Sequence, residues 1–199
     1  MQTSTRPSRT SGGPVLQAEV TDAIRNAYFE ELAEVGYGRL SIDAVARRAG
    51  VGKAAIYRRW KSKLEITVAL ASDVAVAAVD VPDTGNLHDD IREYLASGQA
   101  ALTHPLAQKI IPDLLAEAAR NPTLTDALLS MVQNPRRAKA AQLVERAIAR
   151  GELPADTDIG MCLDLLAGPL YWRLIVVQDG PEGDYLDRLA GKVAAAMKA

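Results

Sequence analysis

The chain is poor in the residues that build cross-links, metal centres and active sites. Cys162 is the single cysteine among 199 residues, so no internal disulfide can form, and a cytoplasmic protein is expected. The two histidines, His88 and His104, fall near expected helix ends without a cysteine partner, so no metal site is expected. Aromatic residues make up 5% of the chain; with Ala and Leu abundant, that scarcity favours helix over sheet. No run of about 18 uncharged apolar residues is present, so no membrane span is expected. The opening MQTSTRPSRTSGGP lacks the apolar core of a secretory signal and reads as a disordered polar arm over residues 1–14. A serine-nucleophile elbow, a P-loop and a dinucleotide fingerprint are all missing, and carboxylates such as Glu117 and Asp164 have no partner in the sequence. Neither a cofactor nor an enzymatic activity is expected.

What is there is an apolar supply large enough for a core, 48% of residues, and an uneven distribution of charge. Residues 1–63 hold 11 Lys/Arg against 6 Asp/Glu, whereas residues 64–199 hold 12 against 19. Within Arg39 to Lys63 there are eight basic residues and one acid, Asp43. A basic end on an acidic body can meet phosphates with one end while the other repels them. Charge alone leaves a second reading open, a solvated basic face with no partner.

All the periodicity has the helical spacing of three to four, so the fold is expected to be all-α, with nine to ten helices. Apolar positions from Val20 to Val35 give a first helix that Gly36 ends. Ser41 caps a short helix over Ile42 to Ala49, Gly50 and Gly52 break it, and Lys53 to Trp60 forms another. Ser62-Lys63-Leu64-Glu65 has the pattern of a capping box, starting a fourth helix that runs to about Asp80. Asn86 caps Leu87 to Thr103; Leu106 to Arg120 follows; a long helix from Asn121 or Thr123 to Arg150 is interrupted at Pro135. Asp156 or Thr157 caps a very apolar helix to Gln178, and Glu182 to Met197 closes the chain.

The segment LSIDAVARRAGVGKAAIYRRWKSK, Leu40 to Lys63, therefore reads as two short helices around a glycine turn, with a small core of Val45, Val51 and Ile56. That is a helix-turn-helix. Gly36-Tyr37, Ser41, the AxxAGV turn, Tyr57, the closing aromatic Trp60 and Lys63 together resemble the N-terminal domain of the tetracycline-repressor (TetR) family of transcriptional regulators, over about Ala18 to Leu70. Trp60 stands where that family often has Phe, and Arg59 where it often has His. The remainder has the length and helix content of the family's ligand-binding and dimerisation domain, and DLLAGPLYWRLIV is similar to its penultimate helix. The resemblance implies an arm over 1–14, a DNA-binding unit over 15–61 and a regulatory body over 62–199.

On this reading Lys53 and Arg58 address guanine edges, Ala54 a thymine methyl, and Tyr57 a phosphate. Ser41 and Lys63 anchor phosphates at helix starts, Arg47 and Arg48 flank the turn, and Lys61 adds to the basic edge. Arg6 and Arg9 in the arm face two readings, a minor-groove contact or no role at all. Leu163, Leu166, Leu170, Leu174 and Val177 form an apolar stripe that, with Ala190, Ala194 and Met197, is expected to make a homodimer interface. Tyr94, Leu114, Met131, Tyr171 and Trp172 are candidates to line a pocket for a small-molecule effector, against ordinary core for any one of them. The expected partners are double-stranded operator DNA, that effector and a second copy of the chain. A helical sequestering protein, or a helical enzyme, whose helix-turn-helix is only structural is the alternative.

Overall fold

The computed structural model describes residues 14–77 and 81–199; the arm with Arg6 and Arg9 lies outside them. Among the described residues there are ten α-helical stretches and no strand. They are α1 (Pro14–Arg39), α2 (Ile42–Arg48), α3 (Lys53–Tyr57), α4 (Lys63–Ala77), α5 (Leu87–Leu102), α6 (Pro105–Ala118), α7 (Pro122–Leu128), α8 (Asn134–Ala149), α9 (Ile159–Tyr171) and α10 (Tyr185–Met197).

Side-chain caps set most of these starts. The Asn86 side chain accepts the Asp89 amide at 2.9 Å, and Asn121 accepts that of Leu124 at 3.1 Å. Ser62 accepts the Glu65 amide, while the Glu65 carboxylate turns back to the amide of Lys61, one residue earlier than in the usual reciprocal box. Two expectations shift. Asp158, not Asp156 or Thr157, caps α9 by accepting the Met161 amide. Ser41 precedes α2 in extended backbone but makes no side-chain cap.

The expected break at Pro135 lies one turn earlier. Leu129–Gln133 winds as a π-helix, and Pro135 sits in the first turn of α8, where it needs no amide partner. Pro135 has no N–H for the carbonyl four residues before it, and that carbonyl, Met131 O, takes a 2.6 Å bond from the Ser72 hydroxyl on α4 instead. A second π-helix, Trp172–Val177, continues α9 past Pro169.

Two apolar clusters organise the molecule. Ile24, Tyr28, Leu32, Val45, Ile56, Ile66 and Leu70 join α1 to α4, and Ile110, Leu114 and Leu124 of α6 and α7 belong to the same cluster. The second unites α5, α8, α9 and α10 through Leu87, Ile91, Leu95, Leu143, Val144, Leu166 and Ala190. α6 and α7 are therefore packed into the basic end.

Residues 81–90, leading into and through the start of α5, are tied down from the end of α8. Arg146 donates to the carbonyls of Val81 and Pro82, and Arg150 bonds Asp90 at 2.8 Å and Glu152 at 2.6 Å. Asp90 is fully buried. Burial alone would raise its carboxyl, but the Thr84 amide and hydroxyl and the Arg150 guanidinium outweigh that and hold it below the usual carboxylate range. Since the folded value is depressed, this stabilisation is complete above the unfolded value near pH 4 and disappears as pH falls through the folded one. Replacing Arg150 with Ala leaves the buried carboxylate without its countercharge and is expected to cost about 2 kcal/mol at pH 7. Urea unfolding at pH 7 and below pH 3 checks this, since the difference should shrink in acid.

Candidate nucleic-acid interface

α2 ends in a glycine-dependent turn. The Val51 amide reaches Ala46 O at 3.0 Å and the Gly50 amide reaches Arg47 O at 3.2 Å, with Gly50 at φ 66. Extended Gly52 then starts α3, and the Arg58 and Trp60 amides continue its winding with bonds to Ala54 O and Ile56 O. Val45 and Ile56 are buried and Val51 packs against them, which fixes α3 against α2. With Ile56 facing inward, Lys53, Ala54, Tyr57 and Arg58 are all exposed on the opposite side, and Tyr57 shows 43% of its surface. Ser41, Arg47 and Lys61 are exposed as well.

The basic residues divide by what they touch. Arg47, Arg58 and Lys61 have no carboxylate partner among the described residues, whereas Lys53 pairs with Asp43 at 2.9 Å and lies 5.8 Å from the Tyr57 ring centre. The Asp43 hydrogen bond raises the Lys53 pKa, so the ammonium is charged at any physiological pH. Arg48, the other cation flanking the turn, is engaged within the chain. Its guanidinium bonds Glu34 at 2.5 Å, Glu31 at 3.0 Å and Glu30 at 3.4 Å, which pins α2 to α1. Arg59 is likewise internal, donating to the Thr21 hydroxyl and to the carbonyls of Gln17 and Ala55.

Lys63 is half-buried at the start of α4. Its ammonium bonds Tyr37 O at 2.8 Å and Gly38 O at 3.4 Å and sits 4.4 Å from the Tyr37 ring centre. Two of its three N–H groups are thereby directed, leaving one for an outside acceptor. The Tyr37 amide is held in turn by Asp113 of α6 at 2.7 Å. Asp113 carried no signal in the sequence, since its partner lies 76 residues away.

Elsewhere the structure moves two assignments. The stripe of Leu163, Leu166, Leu170 and Leu174, with Ala190, Ala194 and Met197, is buried within the single chain and is not an outer face. Only Val177 of that set is exposed. The outward stripe of the same helix is Met161, Gly168, Trp172 and Val176, with half-buried Leu165 at its edge; Met161 and Trp172 expose 63% and 62% of their surfaces. α9 is apolar on nearly every side, so periodicity alone had two stripes to choose between. This stretch, Ile159–Val177, is also long and apolar enough to cross a membrane by length and composition. Asp164 and Arg173 interrupt it, paired with Arg137 and Asp179 at 2.6 Å each.

The five candidate pocket residues do not share a cavity. Leu114 is core beside α1, Met131 and Trp172 face solvent, and Tyr171 packs on the second cluster. Buried Tyr94 lines a small cleft with Gln133, Arg136, Arg137, Ala140, Leu163 and Ala167.

Comparison with known proteins follows this division of the chain. Residues 24–70 match the family model for bacterial regulatory proteins of the tetR family, and residues 81–193 match the tetracyclin repressor-like C-terminal domain. The chain is 30% identical over 164 residues to YdeS of Bacillus subtilis, an uncharacterized HTH-type transcriptional regulator, covering 82% of each chain. It is 32% identical over 164 residues to the DNA-binding transcriptional repressor TetR of Mycobacteroides abscessus, covering 81% of this chain and 85% of that one. Among solved structures, FadR of Bacillus subtilis in complex with stearoyl-CoA superposes with a TM-score of 0.70 at 16% identity, covering 90% of this chain and 98% of that one.

Proposed function

Because the chain belongs to the TetR family of DNA-binding transcriptional regulators, we propose that it is a cytoplasmic repressor that grips a palindromic operator as a dimer and releases it when a small molecule enters its helical body. The observation that carries this is the outer side of α3, where Lys53, Ala54, Tyr57 and Arg58 are exposed together on a helix held rigid from behind by Ile56. A short helix with two cations, a small apolar residue and a phenol on one side suits a major groove. Ser41, Arg47 and Lys61 contact the flanking phosphates, and Lys63 offers its remaining N–H.

In this reading residues 15–61 read DNA and residues 62–199 form the regulatory body. The outward stripe of α9, Met161, Gly168, Trp172 and Val176, supports the pairing of two subunits. A two-fold pair sets its recognition helices roughly 34–36 Å apart, one turn of the duplex. The cleft under Tyr94 is the proposed entry for the effector; of its two lining arginines Arg137 is already paired with Asp164, which leaves Arg136 to favour an acidic one. The stearoyl-CoA carried by the similarly folded FadR supports a small-molecule effector in such a body.

A fluorescence-anisotropy titration against the DNA upstream of its own gene, repeated over a salt series, is the test. A competed, sequence-selective complex whose affinity falls steeply with salt is expected. Arg58→Ala and Lys53→Ala should each weaken the specific complex by roughly tenfold or more, about 1–3 kcal/mol, and leave weak non-specific binding in place. Wild-type binding indifferent to sequence would return the chain to the alternative, a sequestering protein or enzyme with a structural helix-turn-helix.

A further inference from the structure

The break at the end of α1 is held from a distant part of the chain. At Gly36 the backbone leaves the helix with φ 77 and ψ 163. The Tyr37 amide then donates to Asp113 Oδ2 at 2.7 Å, and the other carboxylate oxygen lies 2.5 Å from where a Cβ on Gly36 would stand. Glu117, one turn further along α6, faces the same corner: it helps burial to raise the Tyr37 phenol, and its carboxylate is 3.9 Å from a Cβ built on Gly38. The carbonyl and ring of the same Tyr37 receive the Lys63 ammonium. Asp113, Tyr37 and Lys63 thus form one chain of contacts from α6 to the first residue of α4.

We propose that Asp113 is a positioning residue for DNA binding: by fixing the Gly36–Tyr37 break it aims the remaining N–H of Lys63 at a phosphate. This rests on the regulator reading above. The argument is geometric. A lysine side chain otherwise samples many rotamers, and each phosphate contact made by a wandering ammonium loses affinity to that disorder. Here two carbonyls and a ring confine it, and those carbonyls stay in place only while the Tyr37 amide has its acceptor. Any tilt of α6 would be felt at the same ammonium.

The experiment uses the full-length protein and the DNA upstream of its own gene, with Asp113→Ala, Asp113→Asn, Lys63→Ala and the Asp113→Ala/Lys63→Ala double variant. Affinity is measured over a salt series, and thermal unfolding is recorded for each variant. Asp113→Ala is expected to weaken binding by roughly tenfold and to flatten the salt dependence by about one phosphate contact per subunit. Asp113→Asn keeps an oxygen for the Tyr37 amide and should recover most of both. In the double variant the two losses should not add, because they remove the same contact. A purely structural Asp113 would lower the melting temperature and leave the salt slope of the folded protein unchanged. Unchanged affinity and slope in Asp113→Ala, additive losses in the double variant, or an Asn variant as weak as the Ala variant would each overturn the inference while wild-type binding stands. If the wild type itself shows no sequence-selective complex, the regulator reading falls and this inference falls with it.

Discussion

Gly36→Ala is expected to destabilise the protein by about 3 kcal/mol. Two costs coincide. At φ 77 and ψ 163 the backbone occupies a region open essentially to glycine alone. The new Cβ would also stand 2.5 Å from Asp113 Oδ1, and moving that carboxylate disturbs the bond its Oδ2 accepts from the Tyr37 amide. For a protein of this size the melting temperature should fall by roughly 6–12 °C, and thermal unfolding followed by circular dichroism measures it. Gly50 provides the internal control. It also has positive φ, 66, but nothing lies within 4 Å of an added Cβ. Gly50→Ala should therefore cost only the backbone term, about 1–2 kcal/mol. Equal losses at the two positions would show that the Asp113 contact yields freely.

Placing charges on the outward stripe of α9 should abolish the dimer without unfolding the chain. Met161→Glu combined with Trp172→Glu removes two side chains that expose more than three-fifths of their surfaces, so little intrachain packing is lost. In the proposed pair, however, each glutamate would lie in a self-complementary patch near its own symmetry mate, where desolvation and like-charge repulsion add. Sedimentation should then report a monomer of unchanged helix content. Operator affinity should fall by roughly a hundredfold or more, since a tryptophan at the centre of an interface alone is commonly worth about 2 kcal/mol or more and each half-site is then bound singly. Leu166→Glu gives the opposite signature. Leu166 is 1% exposed, so its replacement should unfold the second cluster. A double variant that sediments as a dimer would remove this face from the account.

These predictions draw on features that were unequally legible in the sequence. The caps at Asn86, Asn121 and Ser62, the glycine turn at Gly50 and the buried Ile56 follow from local chemistry, and local chemistry is what a sequence displays. The recognition helix could be oriented because Ile56 is its one large aliphatic residue, which leaves a single choice of inner side. α9 offered no such choice: its apolar residues cover both an inner and an outer stripe, and the packing of α5, α8 and α10 decides which is core. The roles of the cations were hidden for a different reason. Arg48 is spent, and Lys63 partly so, on partners 14 to 26 residues away, and whether a cation is free depends on what the fold lays beside it. Asp113 was the least legible, an unremarkable acid following a proline.

The π-helical turn at Leu129–Gln133 has a consequence for how the chain tolerates changes of length. A π-turn accommodates one residue more than an α-turn while returning the helix to nearly the same heading. Deleting one residue from this segment would relax it to ordinary α-helix and leave the buried face of α8, with Ala140, Leu143, Val144 and Ala147, pointing where it already points. The same deletion within α8 would rotate everything beyond it by about 100° and turn that face outward. The segment thus acts as an expansion joint, a place where the chain can gain or shed a residue while the core stays in register.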